Sequence, residues 1–429
     1  MSDVRTTTVP PFAPAGPSAL AAEADHALVA LEAKLVAVRR DVHAHPEVGF
    51  DVSRTASLMA DELRDVGLSV RTGVGGAGVI ADLDGTGPGP RLLVRAELDA
   101  LPVREASGLA FAATGPTAHL CGHDVHLAAA LGVATALAGL RHAVPGGVRF
   151  CLQPAEELLA GAGPMLADGV LDGIDGALGA HVLSGVPYGT VAINPGVVLS
   201  GADFFRATVS GGAGHAGTPG QFADAILAAA HITTALHAVV ARETSPGELL
   251  VIGIGAVHGG DAANAAPEDV ALLGNVRWLE AATAERATRR VEEVCAGVAS
   301  ALGCRAEIAW TGHAPVLAND PDLAAVAQRA ILSDKLAEVA KLAPLTASDD
   351  FAEFSGRVPG LFLGIGCGGP GSAPHHHPRF EVDERAVLLA ARVLCRALLS
   401  ILTGWPAVTL SGWPAGASAG HPREPAKSR

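Results

Sequence analysis

Two short segments carry most of the chain's chemically versatile side chains. The first is HLCGHDVH, residues 119–126. Cys121 and His123 flank a single glycine between a predicted loop and a predicted helix start. Both can point into one cavity mouth, where a soft thiolate and an imidazole suit zinc or a similar transition ion. His119, Asp124 and His126 add further ligand types, although taken alone the octapeptide also reads as a buried thiol beside surface histidines. The second is QPAEELLAGA, residues 153–162, at the end of a predicted strand, where open α/β sheets place their sites. Adjacent side chains leave the backbone in different directions, so one of Glu156 and Glu157 can hold a metal while the other acts on a water bound to it. The competing reading is a solvated acidic pair favoured by a helix dipole. His181 closes the strand-like GALGAHV, and PHHHPRF offers His375, His376 and His377 before Pro378. A lone strand-end histidine is more often an ordinary hydrogen-bonded side chain, and three in a row could be a solvated loop. Taken together, Cys, His, Glu and His fall at strand or loop ends of one domain, which is the pattern of a multi-ligand metal site.

The elements that must position these residues can be read from periodicity. Leu28, Leu31, Leu35 and Val38 recur at helical spacing, and Pro46 ends that helix near His45. A second helix is expected from Ser53 to Val66, with Gly67 as its stop. Strand-like VIADLD and RLLVRAEL follow, then a helix from about Val125, a strand in VRFCLQ, a helix near 160–167 and a strand in GALGAHV. Strands alternating with helices predict an α/β domain with a mixed, largely parallel sheet. From about Gly196 the order becomes β-α-β-β-α-β, that of a ferredoxin-like α+β unit. A later helix, GLFLGIG and a helix from Glu384 return the chain to the first domain, so the small domain reads as an inserted lid. The expected organisation is a loose tail over 1–22, catalytic segments 23–195 and 312–404 around the lid 196–311, and a second tail over 405–429. Gly73, Gly75 and Gly78 fit G-x-G-x-x-G, but the following VIADLDG reads as strand and turn, which speaks against a dinucleotide site.

Composition narrows the function classes. The 429 residues exceed what one core supports, and 49% hydrophobic against 17% charged residues predicts large cores. A formal net charge of -14 argues against nucleic acid or anionic membrane as partners. The longest uncharged apolar run, Leu127–Leu140, is shorter than the ~20 residues of a spanning helix. The N-terminal MSDVRTTTVPPFAPAGPS lacks the apolar core of a secretory signal, so a cytoplasmic location with six reduced cysteines is expected.

The chain resembles the aminoacylase-type metallopeptidases, most closely the hippurate hydrolases and indole-acetyl-amino-acid hydrolases. The matching segments are RRDVHAHPEVGF, RAELDALPVREASGLAF, HLCGHDVH, QPAEELLAGAGPMLADG, GAHV, GGAGHAGTP, NAAPEDVALLGNVRW, SDDFAEF and HHHPRF, in the family's order from about residue 39 to 385. The resemblance implies two divalent ions (Zn, Mn or Co) held by Cys121, His123, Glu157, His181 and His376, with Cys121 as a bridging thiolate. It implies that Glu156 is the general base and later returns the proton to the leaving amine. It also implies that His215 stabilises the oxyanion when the lid closes, and that Asn264 and Arg277 grip the substrate's carboxylate or carbonyl. The implied substrate is a small N-acyl amino acid, and the lid allows a homodimer.

The chain departs from the family at Glu97, where Asp is usual close to Asp99 and its expected supporting contacts. It departs again at Asp349–Asp350, where the family has a Glu-Asp pair, and in NAAPE around Asn264. The rival functions are a dipeptidase or carboxypeptidase of the same fold and a metal-binding protein without catalysis. The presence of Glu156 counts against the last.

Overall fold

The computed structural model describes residues 19–405. Helix α1 (Ala19–Ala44) begins inside the stretch read as an N-terminal tail and ends just before His45-Pro46. Helix α2 (Ser53–Asp65) stops before Gly67, whose φ is 83°. An unanticipated strand β1 (Ser69–Val74) then forms a hairpin with β2 (Gly78–Asp84). The glycines of the G-x-G-x-x-G string therefore make a strand–turn–strand. They open no helix, in keeping with their rejection as a dinucleotide site. The chain continues through β3 (Gly87–Glu97), α3 (His123–Gly139), β4 (Pro145–Gln153), α4 (Ala162–Ala167), β5 (Gly176–Pro187), β6 (Thr190–Ala192) and β7 (Gly196–Leu199).

The inserted unit runs β8 (Gly201–Ser210), β9 (Gly214–His215), α5 (Ala225–Glu243), β10 (Leu250–His258), β11 (Ala265–Ala266), β12 (Asp269–Trp278), α6 (Ala281–Ala301) and β13 (Arg305–Ala314). Its four-stranded sheet has the order β10-β12-β8-β13 with every neighbour antiparallel, as the β-α-β-β-α-β reading requires. The chain then returns through β14 (Leu317–Asn319), α7 (Pro321–Ser333), β15 (Glu338–Ala340), α8 (Phe351–Ser355), β16 (Gly360–Gly368) and α9 (Arg385–Gly404).

The main sheet has eight strands in the order β1-β2-β4-β3-β5-β16-β6-β15. The pairings β3 with β4, β3 with β5, β5 with β16 and β6 with β15 are parallel. Alternation along its strands feeds two cores. Val79, Ala81, Leu92 and Val94 face the layer of α1, α3 and α9, whereas Ile80 and Leu93 face Met165, Phe351 and Phe354. Beyond its polar first turn, helix α3 is apolar and buried on nearly all sides as far as Leu137, which is why the run from Leu127 needs no polar face. Helices α5 and α9 are apolar and long enough to span a bilayer. In this fold α9 is packed in the main core and α5 lays one face on the lid sheet. The lid has its own core, with Ile232, Leu236, Leu272 and Val291 buried between α5, α6 and the sheet. Each such aliphatic side chain taken fully out of water contributes about 1.5–3 kcal/mol, so the lid has an apolar core independent of the main one. All six cysteines are free and buried.

Candidate metal centre

The parallel strands β3, β4, β5 and β16 bring their carboxyl ends to one edge, and the ligand-type residues collect there. Glu97 ends β3, Glu156 and Glu157 follow β4, His181 lies on β5, and the loop after β16 carries His376. The loop after β3 leads back to the start of α3 at His123. Gly122 caps that helix with φ 92°, and a Cβ there would lie 2.2 Å from Val182 Cγ2. Only glycine lets the Cys121–His123 turn approach β5 so closely, next to His181.

Donor atoms of Cys121, His123 and His181 lie mutually within 4.8 Å, as do those of Cys121, Glu157 and His376, and of His123, Glu156 and Glu157. Cys121 Sγ is 3.4 Å from His181 Nε2, and His376 Nε2 is 3.4 Å from Glu157 Oε2. His123 Nε2 is 3.6 Å from Glu156 Oε2 and 3.9 Å from Glu157 Oε1. All five residues the family resemblance singles out as ligands thus converge, with Glu156 among them. Of the three consecutive histidines only His376 faces the cluster, with φ 66° and its amide donating to Leu120 O. His375 Nε2 accepts from the Ser184 amide and His377 Nδ1 from the Arg379 amide.

The imidazoles are oriented for ligation. His123 Nδ1 is 2.7 Å from Asp99 O and His181 Nδ1 is 2.7 Å from Val182 O, so each Nδ1–H donates to a carbonyl and each Nε2 is presented to the cluster. The Asp99 carboxylate accepts from both Glu156 N (3.0 Å) and Glu157 N (3.1 Å), fixing the two glutamates from beneath. Glu97 stands beside His123 but meets other partners: one oxygen meets Arg95 Nη1, and the other is 2.8 Å from His126 Nδ1. The extra methylene is thus accommodated between Arg95 and His126. His126 Nε2 in turn accepts from the Val182 amide at 3.0 Å, so both its ring nitrogens are engaged and it props β5 beside His181. Arg95 also pairs with Asp349 and Asp350, at 3.0 and 2.9 Å.

The charge balance shows what the cluster needs. One guanidinium, Arg95, faces three carboxylates, and Glu156, Glu157 and Asp99 add three more close by. Burial, then Asp349 and Glu157, push Glu156 well above the usual carboxylate range. Burial and Asp99 push Glu157 up to about 8. Burial and the nearby glutamates raise the Cys121 thiol. His123 Nε2 and Glu157 Oε1 are buried without a hydrogen-bond partner. Soft and hard donors, orphaned and crowded with negative charge, fit divalent transition ions as the missing counter-charge.

Of the lid residues, Arg277 on β12 reaches the site. Its Nη1 donates to Thr346 O (2.9 Å) and Ser348 Oγ (3.1 Å), and its Nε donates to Asn275 Oδ1. Its charge helps burial to lower the His376 pKa. His215 and Asn264 stand together on the β9–β11 ribbon, where His215 pairs with Ala265 and Asn264 O accepts from Ala216 N. Among the described residues neither hydrogen-bonds to the cluster. Sequence reasoning gave Arg95 no role and counted His126 only among the ligand-type residues of its segment. Their signal was present in RAELDALP and HLCGHDVH, but it takes the fold to show who meets whom.

Ligand donors at the carboxyl edge of a largely parallel sheet, with a ferredoxin-like domain inserted beside them, define a two-domain metal-dependent hydrolase. Residues 93–400 match Peptidase family M20/M25/M40. The chain is 33% identical to N-acetyl-L-cysteine deacetylase of Bacillus subtilis, covering 86% of this chain and 88% of that protein. It is likewise 33% identical to IAA-amino acid hydrolase ILR1-like 2 of Arabidopsis thaliana, covering 84% and 83%. Thermostable carboxypeptidase 2 of Saccharolobus solfataricus is 31% identical over 86% and 95%. Among solved structures, the Bacillus subtilis YXEP protein, described as a dinuclear metal binding peptidase, superposes with a TM-score of 0.69 at 30% identity over 87% and 99%. The chain belongs to peptidase family M20/M25/M40 and is a metal-dependent hydrolase acting on linear amide C–N bonds.

Proposed function

We propose that this protein is a cytoplasmic hydrolase of N-acyl amino acids or closely similar small amides. Two divalent transition ions would be held by Cys121, His123, Glu157, His181 and His376. When bound, such ions lower the pKa of water and polarise an amide carbonyl. Glu156 accepts the proton of the attacking water on its carboxylate and delivers it to the departing amine nitrogen. The observation that carries this reading is the splitting of one Glu-Glu pair. Asp99 ties both amides, yet Glu157 reaches His376 while Glu156 is buried against Asp349 and made unusually basic.

Arg277 supports a substrate carboxylate, because its guanidinium meets only neutral acceptors among the described residues, Thr346 O, Ser348 Oγ and Asn275 Oδ1. His215 is proposed as the oxyanion donor and Asn264 as a substrate contact when the lid closes. A homodimer through the lid is part of the same reading; β10 is an edge strand that exposes Val251 and Val257.

The similarity to a carboxypeptidase favours a second reading, in which peptides are the substrates. Protein loaded with zinc, manganese or cobalt and assayed against N-acyl amino acids and unblocked dipeptides separates the two. Turnover of apolar N-acyl substrates, abolished reversibly by chelation, is expected. Turnover confined to dipeptides selects the peptidase, and full activity without any transition metal removes both.

A further inference from the structure

The turn that carries Glu156 and Glu157 is gripped by the base of the lid. The residues flanking it, Ala155 and Leu159, have φ of 54° and 49°, a conformation that non-glycine residues keep only when their surroundings hold it. Asp99 holds one side through the two glutamate amides. On the other side Leu159, only 6% exposed, packs with Ala202 and Ala314, with Phe204 against them, in a small cluster separate from the main cores. Ala202 and Ala314 are register partners at the end of the lid sheet where the chain enters β8 and leaves β13. The backbones also meet there. His313 N donates to Leu159 O at 3.2 Å, and a Cβ on Gly312 would come within 2.3 Å of Leu158 O.

We propose that Leu159 is a positioning residue: it seats the turn bearing Glu156 and Glu157 in the base of the lid, so that the alignment of base and ligand follows the lid's orientation. The proposal rests on the reading that these two glutamates serve the reaction. Rotation of the lid about its entry and exit strands moves Ala202, Gly312 and Ala314, and Leu159 transmits that movement across one residue, Leu158, to Glu157. Lid closure and alignment of the base thereby become one event.

The test uses the full chain with zinc as the probe metal. Leu159→Ala should lower kcat by about 10–100-fold, the scale of an ångström-sized misplacement, and weaken zinc affinity measured by chelator competition, with KM little changed. Leu159→Met should restore both. Leu236→Ala opens a cavity of the same chemistry in the lid core, where Leu236 is buried; it should lose comparable thermal stability while keeping kcat and zinc affinity. Gly312→Ala attacks the contact from the lid side without opening a cavity and should reproduce the loss of zinc affinity if Leu159→Ala fails to fold. Retained kcat and zinc affinity in Leu159→Ala and Gly312→Ala, or equal losses in Leu236→Ala, overturns the proposal. Full activity in Glu156→Gln refutes the role of the glutamate instead, and zinc affinity in Leu159→Ala still decides whether the seat positions the turn.

Discussion

His123 and Asp124 are neighbours in sequence at the start of α3, yet they belong to polar regions of opposite character. His123 enters the cluster of Cys121, Glu156 and Glu157, which has an excess of acid. Asp124 enters a network that has cations of its own, although its Oδ1 has no hydrogen-bond partner. It accepts from Arg39 Nε at 2.7 Å and is 2.9 Å from His43 Nδ1, while His43 Nε2 is 3.1 Å from Glu105. Glu384 adds a second carboxylate to Arg39 and a bidentate pair to Arg40. Both regions are rich in charge and buried at their centres, with the Arg40–Glu384 pair of the second reaching the surface. The second has cations to match its acids, so it serves to join α1, α3 and the segment before α9. The first lacks them, and a buried region left short of counter-charge is where a ligand is to be sought.

Exchanging neutral for charged groups in each region should give opposite phenotypes. The largest effect is expected in the cluster. Glu156→Gln should lower kcat by ~10²–10⁴, the usual loss for a general base, while keeping bound metal. Because it removes one of the crowded acids, it should also raise the melting temperature of the metal-free protein. Glu157→Gln should lose metal as well as activity. Metal content and kcat on both variants decide the matter, and the roles are reversed if Glu156→Gln is the one that loses metal.

In the Asp124 network the dissociation should run the other way. Arg39→Ala leaves Asp124 buried beside Glu105 with one cation fewer. It should cost ~3–5 kcal/mol of stability, as breaking a buried pair does, with kcat of the folded enzyme unchanged. A loss of kcat without a loss of stability in chemical denaturation would erase the distinction between the two regions.

The smallest effect is a pH dependence. Burial pushes the His43 imidazole down, but its hydrogen bonds to Asp124 and Glu105 and the Asp124 charge outweigh this and raise its pKa to about 9. A raised histidine contributes its full stabilisation below about pH 6.5 and loses it as pH climbs through about 9, up to ~3 kcal/mol in all. Unfolding free energies at pH 6.5 and 9 should therefore fall by less in His43→Gln than in the parent. Equal slopes would show that His43 is neutral in the folded protein.

Much of this was legible beforehand, for reasons specific to each residue. Cys121 and His123 stood out because thiol and imidazole around one glycine at a helix start suit a transition ion, and because further ligand types recur at other strand ends of the same domain. The lid's β-α-β-β-α-β order of elements followed from alternation and helical spacing alone. The division of labour between Glu156 and Glu157 came only through family resemblance, since it depends on the positive φ at Ala155 and on Asp99 holding both amides, and neither leaves a local signature. Strand β1 was missed because Ser69–Val74 is largely exposed and alternates weakly. The Arg39–Asp124 pair joins residues 85 apart, and nothing in either neighbourhood names the other.

The lid enters at β8 and leaves at β13, and these strands lie side by side at Ala202 and Ala314. By topology it is a cassette: both of its ends open at one point on the host, so another domain with adjacent termini could be spliced in or a short linker could replace it. By packing it is no cassette, because Leu159 of the host plugs its base. A graft that respects the chain ends but omits small residues at the Ala202 and Ala314 positions would expose Leu159 to water and free the turn beside it. Transplanting this lid therefore means transplanting its socket.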